Sequence, residues 1–145
     1  MKECIDIADA LTALINSAPA GTFNTDFVAQ RAVLPEFELS ELKELKVSVV
    51  PAAVEITNLT RSSRQYDFTV DIGIQKKVTT GHDSQVAELS VLISELVEFI
   101  TANRLPDLPW ATFKQVKNDP VYSPSHLREK RVFISVITVI YRALK

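Results

Sequence analysis

The stretch RQYDFTVDIGIQKKV, residues 64–78, alternates apolar and polar side chains more cleanly than any other part of the chain. Tyr66, Phe68, Val70, Ile72 and Ile74 are apolar, while Asp67, Thr69, Asp71, Gly73 and Gln75 between them are polar or small. A β-strand sends successive side chains to opposite faces, so this pattern demands a sheet with one buried and one polar-facing side. The segment VFISVITVIYRAL, residues 132–144, breaks the alternation and is apolar on both faces. Val132, Ile134, Val136 and Ile140 fall on one side of it, and Phe133, Ile137, Val139 and Tyr141 on the other. Such a strand needs cover on both sides. Any fold for this chain must supply that cover.

The rest of the chain supplies the other elements. Ile5, Ala8, Leu11 (or Thr12) and Ile15 recur at helical spacing, and SAPAG ends that helix with Pro19 and Gly21. The segment ends on small residues as a secretory leader does, but Glu3, Asp6 and Asp9 interrupt the leader pattern and favour an amphipathic helix. FVAQRAVLP reads as a strand closed by Pro35, and SELKEL as one helical turn. KVSVVPAAVEITNLTR is rich in β-branched residues. Pro51 inside it cannot donate a ladder hydrogen bond, which predicts an edge strand, a bulge or two short strands. The polar RSSR turn then makes a hairpin with residues 64–78.

Asp83 or Ser84 starts a second helix, with a stripe through Val86, Leu89, Leu92 or Ile93, Leu96 and Ile100, widened by Val97 and Phe99. ATFKQVKND reads as a strand, and PVYSPSHLREKR as a connecting loop. The expected class is α+β: an antiparallel sheet of about five strands with two helices packed mainly on one face. Two helices are few for sealing both sides of such a sheet, so a neighbouring subunit is the favoured cover for the second face of the last strand. A three-layer monomer is the alternative.

At 145 residues the chain fits one domain over 1–145, long enough to bury a core unaided. A net charge of −2 suggests neither sequence-specific nucleic-acid binding nor a membrane-surface partner. No apolar run approaches the roughly 20 residues that span a bilayer. The lone cysteine, Cys4, has no partner for an internal disulfide, which fits a reducing compartment.

Candidate chemistry is sparse. Cys4, His82, Asp83 and His126 follow no metal-ligand spacing, so the two histidines read as solvated. Asp67 and Asp71 share a strand face, but at about 3.3 Å per residue they stand roughly 13 Å apart, too far to share a proton. Ser123 and Ser125 near His126 do not form a nucleophile elbow, and the glycines make no phosphate loop. Trp110 reads as a packing anchor. No catalytic residue, cofactor site or metal site is expected, and the chain does not read as an enzyme. Basic residues cluster as Arg61 and Arg64, Lys76 and Lys77, then Arg128, Lys130 and Arg131, available for subunit contacts.

An ordered run of elements carries a resemblance. VSVVPAAVEI, RQYDFTVDIGIQKKV, SQVAELSVLISELVEFI and NDPVYSPSHLREKRVFISVITVIYR follow one another over the last two-thirds of the chain. In this order they resemble the tail-terminator and tail-completion proteins of tailed bacteriophages. That resemblance implies a structural virion protein of the tail or neck, made in the host bacterial cytoplasm. It implies a hexameric ring that caps the tail tube and meets the head-neck connector, acting by surface fit without bond chemistry. Its partners would be further copies of itself, the tail tube protein and the connector protein. In such a ring Arg61, Arg64 and the REKR stretch are expected to pair with Glu38, Glu41 and Glu44 of a neighbour. The alternatives are another neck protein of the head-completion or stopper type, and a small-molecule-binding α+β regulatory domain with its ligand at a sheet interface.

Overall fold

The computed structural model describes residues 2–33, 41–79 and 83–145. In chain order these form helix α1 (Lys2–Asn16), short strand β1 (Ala29–Arg31), one 3-10 turn (Glu41–Lys43), and the long strands β2 (Lys46–Asn58) and β3 (Arg64–Lys77). Helix α2 (Asp83–Ala102), strand β4 (Thr112–Asn118), short helix α3 (Pro124–Lys130) and strand β5 (Val132–Leu144) follow. The strands make one sheet in the order β1-β2-β3-β5-β4. The class is α+β as expected. The sheet, however, is mixed rather than antiparallel, because β1 runs parallel to β2. The connection between them, residues 32–45, is long enough for the return that parallel pairing requires.

The expected hairpin is present: β2 pairs antiparallel with β3 from Lys46↔Gln75 to Asn58↔Arg64. Its one irregularity lies between Pro51 and Ala53, where Ala52 is the extra residue of a bulge. Below the bulge Val47 and Val49 join the core, and above it Val54 and Ile56 stand on that same side, opposite Phe68 and Tyr66. The inserted residue thus inverts the alternation within a single strand. Pro51 is accommodated where the ladder is already interrupted.

Both long helices cover the same sheet face. From α1 come Cys4, Ile7, Ala8, Leu11, Leu14 and Ile15, and from α2 Leu89, Leu92, Ile93, Leu96 and Ile100. They join Val47, Val49, Phe68, Val70, Ile72, Ile74, Phe133, Ile137, Val139 and Tyr141 in one core. The α2 stripe is the expected one. In α1 the expected Ala8, Leu11 and Ile15 are buried, but Ile5 is exposed, and Cys4, Ile7 and Leu14 complete the stripe. Phe23 stacks obliquely on Phe27 and edge-on to Phe99, with centroids 5.3 and 5.5 Å apart. These rings tie the segment after α1 to α2.

A third helix, α3, occupies the segment expected to be a loop. Pro124 starts it, Leu127 is its single buried side chain, and Arg131 ends it in the left-handed conformation with its N–H bonded to His126 O. Seven residues with one apolar anchor carry no stripe that periodicity can detect.

Candidate functional site: an open sheet face between two free edges

β5 answers for its two apolar sides in different ways. Phe133, Ile137, Val139 and Tyr141 lie under the helices and are buried. On the opposite face Val132 is buried, but Ile134, Val136 and Ile140 are only half-buried. This second face is closed at one end, where Ser48, Val50, Gly73 and Gln75 are buried and the 3-10 turn lies beside β3. Toward the hairpin end it opens to solvent.

The open part carries an ion cluster. Asp67 accepts from Arg142 Nε at 2.9 Å and Nη2 at 3.2 Å, and from Lys114 Nζ at 3.0 Å. The Asp67 side chain is 14 % exposed. The Arg142 guanidinium first, and Lys114 with it, hold its carboxyl below the ordinary aspartate range. Two rows away Asp71 accepts from Thr138 Oγ1 at 2.8 Å. The two aspartates therefore share a face as expected, and each is engaged in a structural contact. A carboxylate held ionised between two cations is not poised as a general acid near neutral pH.

One ladder row of this face reads Glu55, Asp67, Arg142, with Thr112 at its β4 end. Lys114 reaches into the same row through its contact with Asp67. The row is acidic at its β2 end and basic at its β4 end.

The basic residues expected at a contact divide between the two ends of the sheet. Arg61 is exposed in the hairpin turn. Arg64 is exposed at the start of β3 and exchanges both backbone hydrogen bonds with Lys145, at 2.6 and 2.9 Å. Lys76 and Lys77 lie at the other end of β3, opposite Phe133 and Val132. That end is roughly 43 Å away by strand rise. Arg131 stands beside them, its carbonyl accepting from Val78 N at 2.8 Å, and Arg128 and Lys130 are exposed on α3.

Glu44 is exposed just ahead of Lys46, at this same end. Glu41 opens the 3-10 turn. Glu38, His82 and the side chain of Glu41 lie outside the described residues. The structure thus sets Glu44 at the same end of the sheet as Lys76, Lys77 and Arg131, and Arg61 and Arg64 at the other.

The other candidates do not converge. Cys4 is buried with its Sγ directed at the carbonyls of Ala53 and Thr69, 3.8 and 3.6 Å away. His126 is exposed on α3, its Nδ1 2.9 Å from Ser123 Oγ. Among the described residues no three His, Cys, Asp or Glu side chains cluster as metal ligands, and no helix is long and apolar enough to cross a membrane.

Trp110 lies edge-on to Phe68 at 6.1 Å, with Lys145 Nζ over its ring at 5.9 Å. Sequence patterning did not reveal a cleft of about 510 Å³ between the α2–β4 loop and β5, lined by Arg104, Asp107, Phe113 and Tyr141. Burial pushes the Tyr141 phenol well up, and its Oη has no hydrogen-bond partner among the described residues. Compared with known proteins, the chain matches no family model and no curated protein.

Proposed function

We propose that this chain is a structural protein of the bacteriophage virion, a tail terminator or tail-completion protein. It assembles as a ring of six, caps the tail tube and joins it to the head-neck connector. It acts by surface fit alone, without catalysis or cofactor. The observation that carries this reading is the two-ended distribution of charge. Arg61 and Arg64 mark one end of the sheet, and Lys76, Lys77, Arg128, Lys130 and Arg131 with Glu44 mark the other. A subunit that bridges two different partners needs two separated recognition surfaces, and the long β3 strand holds these apart. In this arrangement one end meets the tube and the other the connector.

The test uses native mass spectrometry and electron microscopy of the full chain, alone and with polymerised tail tubes. A six-copy species, formed alone or on tube ends, is the expected outcome. A chain that stays monomeric and leaves tube ends bare ends this reading. Arg64→Glu is expected to impair binding at one end and Arg128→Glu at the other, each sparing the other partner. The cleft with Tyr141 at its wall favours the second reading, a small-molecule-binding domain. A metabolite retained through native mass spectrometry by a monomer or dimer would decide for it.

A further inference from the structure

The sheet has two edges, and they are protected very unequally. On the β2 side, β1 covers only Val47–Val49. The outer edge of β1 is itself occupied, since the Asn16 side-chain amide donates to Ala29 O at 3.0 Å and accepts from Ala29 N at 2.8 Å. From Val50 to Asn58, β2 has no outer strand partner among the described residues. The backbone exchange between Arg64 and Lys145 turns Arg64 toward β5, so alternation turns Gln65, Asp67 and Thr69 toward β2. Their partners Thr57, Glu55 and Ala53 face inward, and the amides of Val54, Ile56 and Asn58 face outward. Ile56 and Leu59 here are both 50 % exposed. An exposed, apolar, unpaired edge of this kind is a template for another strand.

The far edge is β4. It pairs inward with β5 and has no outer strand among the described residues. Three features make the two edges complementary. First, β4 spans the rows from Thr112, level with Glu55, to Asn118, level with Val49, which overlaps the free part of β2. Second, β2 and β5 run one way and β3 and β4 the other, so β4 of one copy meets β2 of a like-oriented copy antiparallel. Third, the row carries Glu55 on β2 and, beside Thr112 at its β4 end, Lys114, whose ammonium reaches inward to Asp67, so joining unlike edges brings the acidic strand against the one that carries a base. A β2–β2 joint would oppose two Glu55 side chains, and a β4–β4 joint two Lys114 side chains, which like-charge repulsion disfavours.

We propose that the outer edge of β4 in one copy pairs antiparallel with residues 50–58 of β2 in the next. The sheet then continues from subunit to subunit through a heterologous contact. This deepens the ring reading and rests on it for closure: an unlike-edge joint repeats around an axis and closes when the rotation allows. It leaves the two charged ends of each sheet free for other partners.

The test is sedimentation equilibrium of the full chain, alone and in the presence of tail tubes, with three single variants and one double variant checked for folding by thermal melt. Glu55→Lys and Lys114→Glu each weaken association by about fivefold, and combining them restores it to within about twofold. Ile56→Pro, which removes one outward-facing donor, weakens it by about tenfold. Amide exchange at Val54, Ile56, Asn58, Phe113 and Val116 slows on assembly. Protection confined to β2 overturns the joint in favour of a like-edge dimer. Association that ignores all three variants overturns the joint and leaves the ring reading standing. A wild-type chain that never associates overturns both.

Discussion

Replacing Asn16 with alanine tests whether β1 is held by a side chain rather than by its own pairing. Three residues of parallel ladder make a weak strand, and the amide of Asn16 supplies Ala29 with both an acceptor and a donor, at 2.8 and 3.0 Å. Ala29 is buried, so Asn16→Ala leaves its N–H and C=O without partners in a place water reaches poorly. Each such orphan costs about 1–3 kcal/mol. Asn16 itself is exposed at the helix end, which admits some water and sets the sum near the lower bound, about 2 kcal/mol. For a chain of this size that lowers the melting temperature by about 6 °C.

Asn16→Asp still accepts from Ala29 N but no longer donates, and loses about half as much. Urea unfolding followed by circular dichroism measures both variants. Amide exchange at Ala29 should quicken by about 30-fold in Asn16→Ala, at 1.4 kcal/mol per decade. Wild-type stability and unaltered exchange in Asn16→Ala would refute the role given to the amide. Fast exchange at Ala29 with undiminished global stability would show that β1 opens separately from the sheet.

Two further outcomes follow from the layer structure and the ion cluster. Leu96→Ala, fully buried on α2 in the shared core, should cost about 3 kcal/mol in denaturant unfolding, while Val136→Ala on the half-open face of the isolated chain should cost about 1; equal losses would mean that both faces are sealed alike. Asp67→Asn should lower the melting temperature at pH 7, since the folded carboxyl sits below its ordinary value of 3.8. A depressed folded value stabilises above the unfolded one and is lost as pH falls through the folded one, so the gap between wild type and variant should close on acidification below about pH 4. A gap that does not change with pH would remove the cluster from the account.

Much of this fold was legible from residue patterning. The alternation of residues 64–78 and the two-sided run of residues 132–144 located the central strands, and the stripe from Leu89 to Ile100 located α2. The misses share a physical cause, which is that short elements lean on distant partners rather than on their own periodicity. The strand expected in FVAQRAVLP is present as β1, but its parallel direction is set by Asn16 and by the edge of β2, neither of which a local pattern reveals. α3 buries a single side chain, Leu127.

In α1 the start of the stripe is ambiguous, since Ile5 and Ile7 flank Asp6 and both suit helical spacing to the buried Ala8 and Leu11, and tertiary contact selects Ile7. At the candidate site the strand over residues 64–78 already separates Arg64 from Lys76 and Lys77, but the side on which Arg128, Lys130 and Arg131 fall was not visible, since it depends on the pairing of Lys77 with Val132. The charged row was half visible: Asp67 and Glu55 stand in neighbouring strands of a hairpin that was expected, whereas Arg142 and Lys114 reach it from strands far along the chain.

The bulge at Ala52 works as a phase slip in the long hairpin. On both sides of it the strand keeps one face toward the helices, with Val47 and Val49 before the bulge and Val54 after it packed on the same core. The tip beyond Asn58 and Arg64 can therefore lengthen by matched pairs of residues without disturbing anything beneath the helices. A single-residue change in one strand turns Val54 and Ile56 to the wrong side. The length of the tip is in this sense quantised, and its reach changes only in even steps.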